Sequence, residues 1–156
     1  MKSYLLETFY FNDSTNKKLL LKIGQLNDRT GAIKLFSHLI NSQYKWMARI
    51  LQDPIAQKMS WWDPVYEFQD LEKEWEKSIN KWIEYLHSKT EIELNTEIIF
   101  TGFDNTKWAA MPKDIALQLN YHSIHHRAQI QTLIRQQGFE PDFVDYIGTK
   151  YRKLPE

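Results

Sequence analysis

Four long stretches of this chain carry apolar residues at spacings of three and four, while glycine and proline fall mainly in the gaps between them. That periodicity gathers apolar side chains on one face of an α-helix and scatters them over both faces of a strand. The clearest case runs from residue 30 to about 52, where Ala32, Leu35, Phe36, Leu39, Trp46, Met47 and Ile50 recur at helical intervals. Thr30 is placed to cap this helix, and Asp53-Pro54 ends it. A first helix reads over 3–26, with its best pattern from Lys17 to Ile23 and a break or kink expected at Asn12-Asp13-Ser14-Thr15-Asn16, a poor helix-forming run. A third helix covers about 67–88, with Leu71, Trp75, Ile79, Trp82, Ile83 and Leu86 on one face. The fourth begins at Pro112 and ends at Gly138, a residue suited to the left-handed position after a helix.

The connections are unequal. Residues 53–67 form a long loop with two prolines and the pair Trp61-Trp62, and loops of this length often cover something. Thr96–Thr101 and Lys107–Ala110 flank Gly102-Phe103-Asp104-Asn105-Thr106, the pattern of a short β-hairpin. One short turn is expected around 143–147. The expectation is an all-α fold, a four-helix bundle forming one domain over residues 1–156, with a hairpin between the third and fourth helices.

Composition narrows the function. Twenty Lys+Arg balance 20 Asp+Glu, which removes the positive field of a nucleic-acid binder. The absence of cysteine excludes disulfides, thiolate metal sites and a cysteine nucleophile. Glu7 interrupts the start before an apolar signal segment can form, and no apolar run approaches the ~18–20 residues needed to span a bilayer. A soluble, cytoplasmic protein without membrane or nucleic-acid partners is expected.

Three of the five histidines fall within Asn120-Tyr121-His122-Ser123-Ile124-His125-His126-Arg127-Ala128-Gln129. At about 100° per residue, His122 and His126 lie roughly 40° apart, one turn from each other, on the meridian of Ile115, Leu119 and Leu133. Lys113, Arg127, Gln131 and Arg135 point away, so Arg127 reads as a surface or interface charge. Two stacked imidazoles in a bundle interior need partners for their ring nitrogens, and hydrogen bonds or a divalent metal meet that need. A metal requires further ligands. The pattern leaves His38, His87, Glu72, Glu74 and Glu76 open. His38 lies about 120° from the middle of its helix's apolar stripe. His87, in the last turn of the third helix, is explained by the helix dipole. The glutamates, interleaved with Lys73 and Lys77, read as a solvated face with i,i+4 pairs.

The helix-helix-crossover-helix-hairpin-helix order, with Phe36-Ser37-His38-Leu39-Ile40 early and His122-Ser123-Ile124-His125-His126-Arg127-Ala128-Gln129 late, resembles the DinB family of bacterial metal-binding bundles over nearly the whole chain. Ala128 stands where that family most often has glycine. The resemblance implies that His38, His122 and His126 are the metal ligands. It also implies an up-down-down-up bundle in which 53–67 is the crossover between helices two and three, frequent homodimers, and zinc, nickel or another divalent ion such as iron, manganese or cobalt. Some relatives are thiol S-transferases using a low-molecular-weight thiol.

Three neutral histidines leave an open position on an ion, as catalytic sites do. The expected function is a metal-dependent enzyme, a thiol S-transferase or hydrolase, on a small-molecule substrate. The competing expectation is a non-catalytic, metal-stabilised dimeric binding module. Tyr121, His125 and Gln129 are the nearby supporting residues, with His125 read as packing or support instead of ligation. Trp61 and Trp62 can line a pocket mouth or cap one end of the bundle, and the capping role has the greater weight.

Overall fold

In the computed structural model, which describes residues 1–102 and 104–155, the helical pattern resolves into α1 (Lys2–Ile23), α2 (Thr30–Ile50), α3 (Phe68–Ser88), α4 (Glu91–Leu94) and α5 (Pro112–Gln136). Strands β1 (Ile98–Thr101) and β2 (Lys107–Ala110) pair antiparallel, Ile98 opposite Ala110 and Thr101 opposite Lys107. Turns of 3-10 helix occupy Pro54–Gln57 and Tyr146–Thr149. Phe103, in the expected hairpin turn, and Glu156 lie outside the described residues. The four long helices pack together: α1 and α2 each lie against both α3 and α5. No helix among the described residues is long and apolar enough to cross a membrane.

The apolar stripes become one core. Phe9, Phe36, Leu71, Trp75, Trp82 and Ile130 are completely buried within it. Phe9 stacks on Trp82 at 5.9 Å between ring centroids, and Phe36 meets Trp75 edge-on at 5.4 Å. Buried indoles need acceptors. Trp75 Nε1 donates to Asp13 Oδ1 (2.9 Å) and Trp82 Nε1 to the Gln43 carbonyl (3.0 Å).

Several expectations change. There is no break at 12–16: α1 is continuous, and Asn12, Thr15 and Asn16 are buried. The reason is a polar network with α5. Asn16 Nδ2 donates to Ser123 Oγ (2.9 Å), and Ser123 Oγ to Asn12 Oδ1 (2.7 Å). The Arg127 guanidinium reaches Asn16 Oδ1 (3.0 Å) and Asn12 Oδ1 (3.2 Å). Tertiary hydrogen bonds thus outweigh weak local propensity. Arg127 is therefore not a surface charge but is only 3% exposed, with burial lowering its pKa to about 10. Thr30 is the first residue of α2 and not its cap; Asp28 Oδ1 accepts the Thr30 N–H at 2.9 Å. The short helix α4 is an addition to the expected elements, and Thr90 and Glu93 start it with a reciprocal capping box. Gly138 follows α5 at φ +83°, the left-handed position expected of it.

Helix α2 buries an unusual number of polar side chains: Ser37, His38, Asn41, Ser42, Gln43, Lys45 and Arg49. Segment 59–66 of the crossover lies over that face and supplies backbone partners. Asn41 Nδ2 donates to the Pro64 carbonyl (3.0 Å), Lys45 Nζ to that of Met59 (2.5 Å), and the Tyr66 N–H to Ser37 Oγ (3.0 Å).

Truncating Trp82 to alanine in this core should cost about 3–5 kcal/mol, read as a lowered urea midpoint. Ile99→Ala, at a side chain 58% exposed, should stay within about 0.5 kcal/mol of the parent.

Candidate metal centre

His38 reaches the bundle interior because the crossover roofs the polar face of α2. Its Nδ1 lies 2.7 Å from the Trp61 carbonyl oxygen, and its ring is stacked on Trp62 at 3.9 Å between centroids and 13° between planes. An offset from the apolar stripe, which left the direction of His38 open, therefore leads into a covered groove. From α5, His122 and His126 project one turn apart. His126 is 7% exposed and His38 6%.

The three rings converge. His122 Nε2 is 3.0 Å from His38 Nε2 and 3.0 Å from His126 Nε2. The ligand atoms of all three lie within 4.8 Å of one another, a cluster that could bind a metal. The outer nitrogens decide the tautomers. The Trp61 carbonyl can only accept, so His38 carries its proton on Nδ1. Gln129 Oε1 faces His126 Nδ1 at 2.7 Å, which assigns the same tautomer there. Both Nε2 atoms then present lone pairs toward His122 Nε2, which holds at most one proton and cannot align it with both. A cation resolves that conflict for all three nitrogens at once. Bonds of about 2.0–2.1 Å to a tetrahedral ion separate its ligands by roughly 3.3 Å, close to the 3.0 Å from His122 Nε2 to each of the other two Nε2 atoms. The residues fit a three-imidazole metal site.

Electrostatics favour the neutral, ligating form. Burial lowers the pKa of all three histidines. For His122, burial together with His126, His38 and His125 pushes it down to about 4. The Gln129 bond opposes part of the shift at His126, and the Trp61 carbonyl part of that at His38.

The other nominated residues separate. Gln129 supports His126 and also reaches His125 Nε2, at 3.3 Å from its Nε2. His125 is exposed and meets His126 edge-on at 4.9 Å. Tyr121 is 60% exposed and lines a different cavity with Tyr4, Phe11 and Tyr146. His87 Nε2 bonds the Tyr10 hydroxyl (3.1 Å). Glu76 pairs with Lys17 of α1 at 2.8 Å and Glu74 with Lys77 at 2.5 Å, contacts that are interhelical and i,i+3 instead of the i,i+4 pairs expected. Trp61 and Trp62 sit at the cluster and not as an end cap: Trp61 lines a cavity of about 220 Å³ with His38, Ser42, Trp46, Leu119 and His122. Sequence reasoning missed Ser42, one turn after His38 on α2, whose buried Oγ has no hydrogen-bond partner among the described residues. The i,i+4 spacing from His38 was the available signal.

The DinB family model matches residues 28–155, a span containing all three histidines and leaving α1 outside. No curated protein and no solved structure matches the chain significantly.

Two outcomes follow from the geometry. Unfolded histidines take up protons near pH 6.5, whereas His122 in the fold does so only near pH 4. Between these values the unfolded chain binds more protons, so stability falls as pH drops through that window. Urea midpoints of chelator-treated protein should decline from pH 7.5 to 5, and His122→Asn should flatten the slope. Gln129→Leu should weaken metal affinity by about 10–100-fold, measured by competition with a chromogenic chelator.

Proposed function

Because the chain belongs to the DinB family and gathers His38, His122 and His126 into one cluster, we propose that it is a divalent-metal-dependent enzyme. The substrate is a small thiol-linked or electrophilic molecule, and the reaction is of the thiol S-transferase or hydrolase type. The observation that carries this reading is the convergence of the three Nε2 atoms beside a cavity they partly line. Three neutral imidazoles suit zinc or nickel, with iron, manganese and cobalt also accommodated. A bound ion supplies Lewis acidity, drawing down the pKa of a coordinated water or thiol.

The chain's own groups supply the rest. The Trp61 carbonyl and Gln129 hold two rings from behind, so the lone pairs stay aimed. Trp62 covers one face of His38 and shields it from water. Ser42 Oγ, buried beside the cluster and without a hydrogen-bond partner among the described residues, offers a hydrogen bond to an incoming ligand. Since the chain has no cysteine, a thiol nucleophile arrives with the substrate.

A second reading draws on a separate observation. Leu117 (36% exposed), Tyr121 (60%) and Ile124 (52%) on α5 form an apolar surface with Tyr4 of α1, the kind of face that pairs copies of a chain. In that reading the protein is a homodimeric, metal-stabilised binding module without turnover.

Elemental analysis of protein kept off nickel resin, with a panel of low-molecular-weight thiols and electrophiles, tests both. About one equivalent of metal is expected, lost in His122→Ala while circular dichroism stays helical, with turnover that disappears in the same variant. Equal trace metal in both proteins defeats the proposal. Bound metal and a doubled sedimenting mass without turnover select the second reading.

A further inference from the structure

The C-terminal end of α2, the turn Pro54–Gln57 and the hairpin enclose another cavity, of about 470 Å³. Its size lies within the range of small-molecule sites. Arg49 lines it, yet is only 9% exposed. Three rings surround the guanidinium: its central carbon lies 4.9 Å from the Trp46 centroid, 5.0 Å from Trp61 and 5.4 Å from Phe100. No carboxylate or carbonyl bonds it among the described residues, and its Nε is buried without a partner. Aromatic faces ease the burial of the charge but offer no lone pair to its N–H groups. A buried cation lacking a counterion is costly, and burial already lowers its pKa.

The surroundings define what would satisfy it. Lys107, on β2, lines the same cavity, and among the described residues its Nζ bonds only the Thr101 hydroxyl, at 2.7 Å. Asp53 is the acid in the lining, and its Oδ1 is engaged by the Ile55 N–H (3.0 Å). Gln52 and Gln57 direct their amides to the Ile99 and Thr101 carbonyls (3.4 and 2.9 Å), tying the turn region to the hairpin. Ile99, Phe100 and Pro54 add apolar wall. A planar acceptor that can engage two guanidinium N–H groups together, with an apolar body, matches this lining.

We propose that this cavity binds the carboxylate of a small organic acid, with Arg49 as its bidentate anchor, Lys107 as a second cation, and Ile99 and Phe100 against the apolar part. The site stands independently of the metal reading, although Trp46 and Trp61, which line the cavity beside the histidines, also flank the Arg49 guanidinium.

Calorimetric titration of chelator-treated full chain with sodium benzoate, inorganic phosphate and benzyl alcohol, at ionic strength held constant with chloride, tests it. Saturable benzoate binding is expected, with none for the alcohol. Arg49→Gln should weaken it about ten- to a hundredfold, Lys107→Gln severalfold, and His122→Ala not at all. Equal benzoate affinity in Arg49→Gln, absence of saturation, or tighter binding of phosphate than benzoate overturns the proposal. Loss of binding in His122→Ala also overturns it, by moving the anion to the histidines. Should Arg49→Gln fail to fold, Arg49→Lys, which keeps charge but not the fork, and the exposed Lys107→Gln decide; parental affinity in both refutes the assignment.

Discussion

The arrangement of the histidine cluster depends on hydrogen bonding between the polar face of α2 and the backbone of the crossover. Ser37, Asn41 and Lys45 sit one helical turn apart, and each engages a main-chain group of the segment 59–66. His38 joins the row through the Trp61 carbonyl. A loop laid over an apolar stripe would leave its own carbonyls unsatisfied; laid over this row, it satisfies them and excludes water from an imidazole. The same bonds that fasten the loop also set the tautomer of His38, so loop placement and ligand chemistry are one problem with one solution.

Helix α5 is fastened on the other side. Ser123 and Arg127 face α1, where Asn12 and Asn16 hold them, while His122 and His126 face α2. Polar bonds therefore fix the rotation of α5 about its axis from the side opposite the site. Rotation matters here because a turn of about 20–30° would swing both imidazoles away from His38, given about 100° between successive residues. Apolar packing alone tolerates such sliding better than a fully bonded polar network does.

Much of this was legible from periodicity. The four long helices, the hairpin and Gly138 all stand close to where the spacing of apolar residues and the turn chemistry put them. The convergence of His122 and His126 followed from one-turn spacing. What periodicity could not read was polar burial. Locally, Asn12 and Asn16 resemble a helix break and Arg127 a surface charge, because the bonds that bury them cross from residue 12 to 127. His38 was equally opaque: its offset from the apolar stripe became meaningful only once a loop 23 residues away covered it. Family resemblance selected it where pattern left several residues open. The short helix α4 is marked in the sequence by Thr90-x-x-Glu93 alone, because four residues carry no periodicity.

The separation of the histidines along the chain has a mechanical side. His122 and His126 close a single helical turn, but joining either to His38 closes a loop of 84 residues or more. Loop-closure entropy grows with the logarithm of loop length, so an ion shared by all three would act as a removable cross-link between the early and late parts of the bundle. Its withdrawal would loosen α2 from α5 while leaving each helix intact, and resistance to unfolding would then track ion supply as well as the strength of the apolar core.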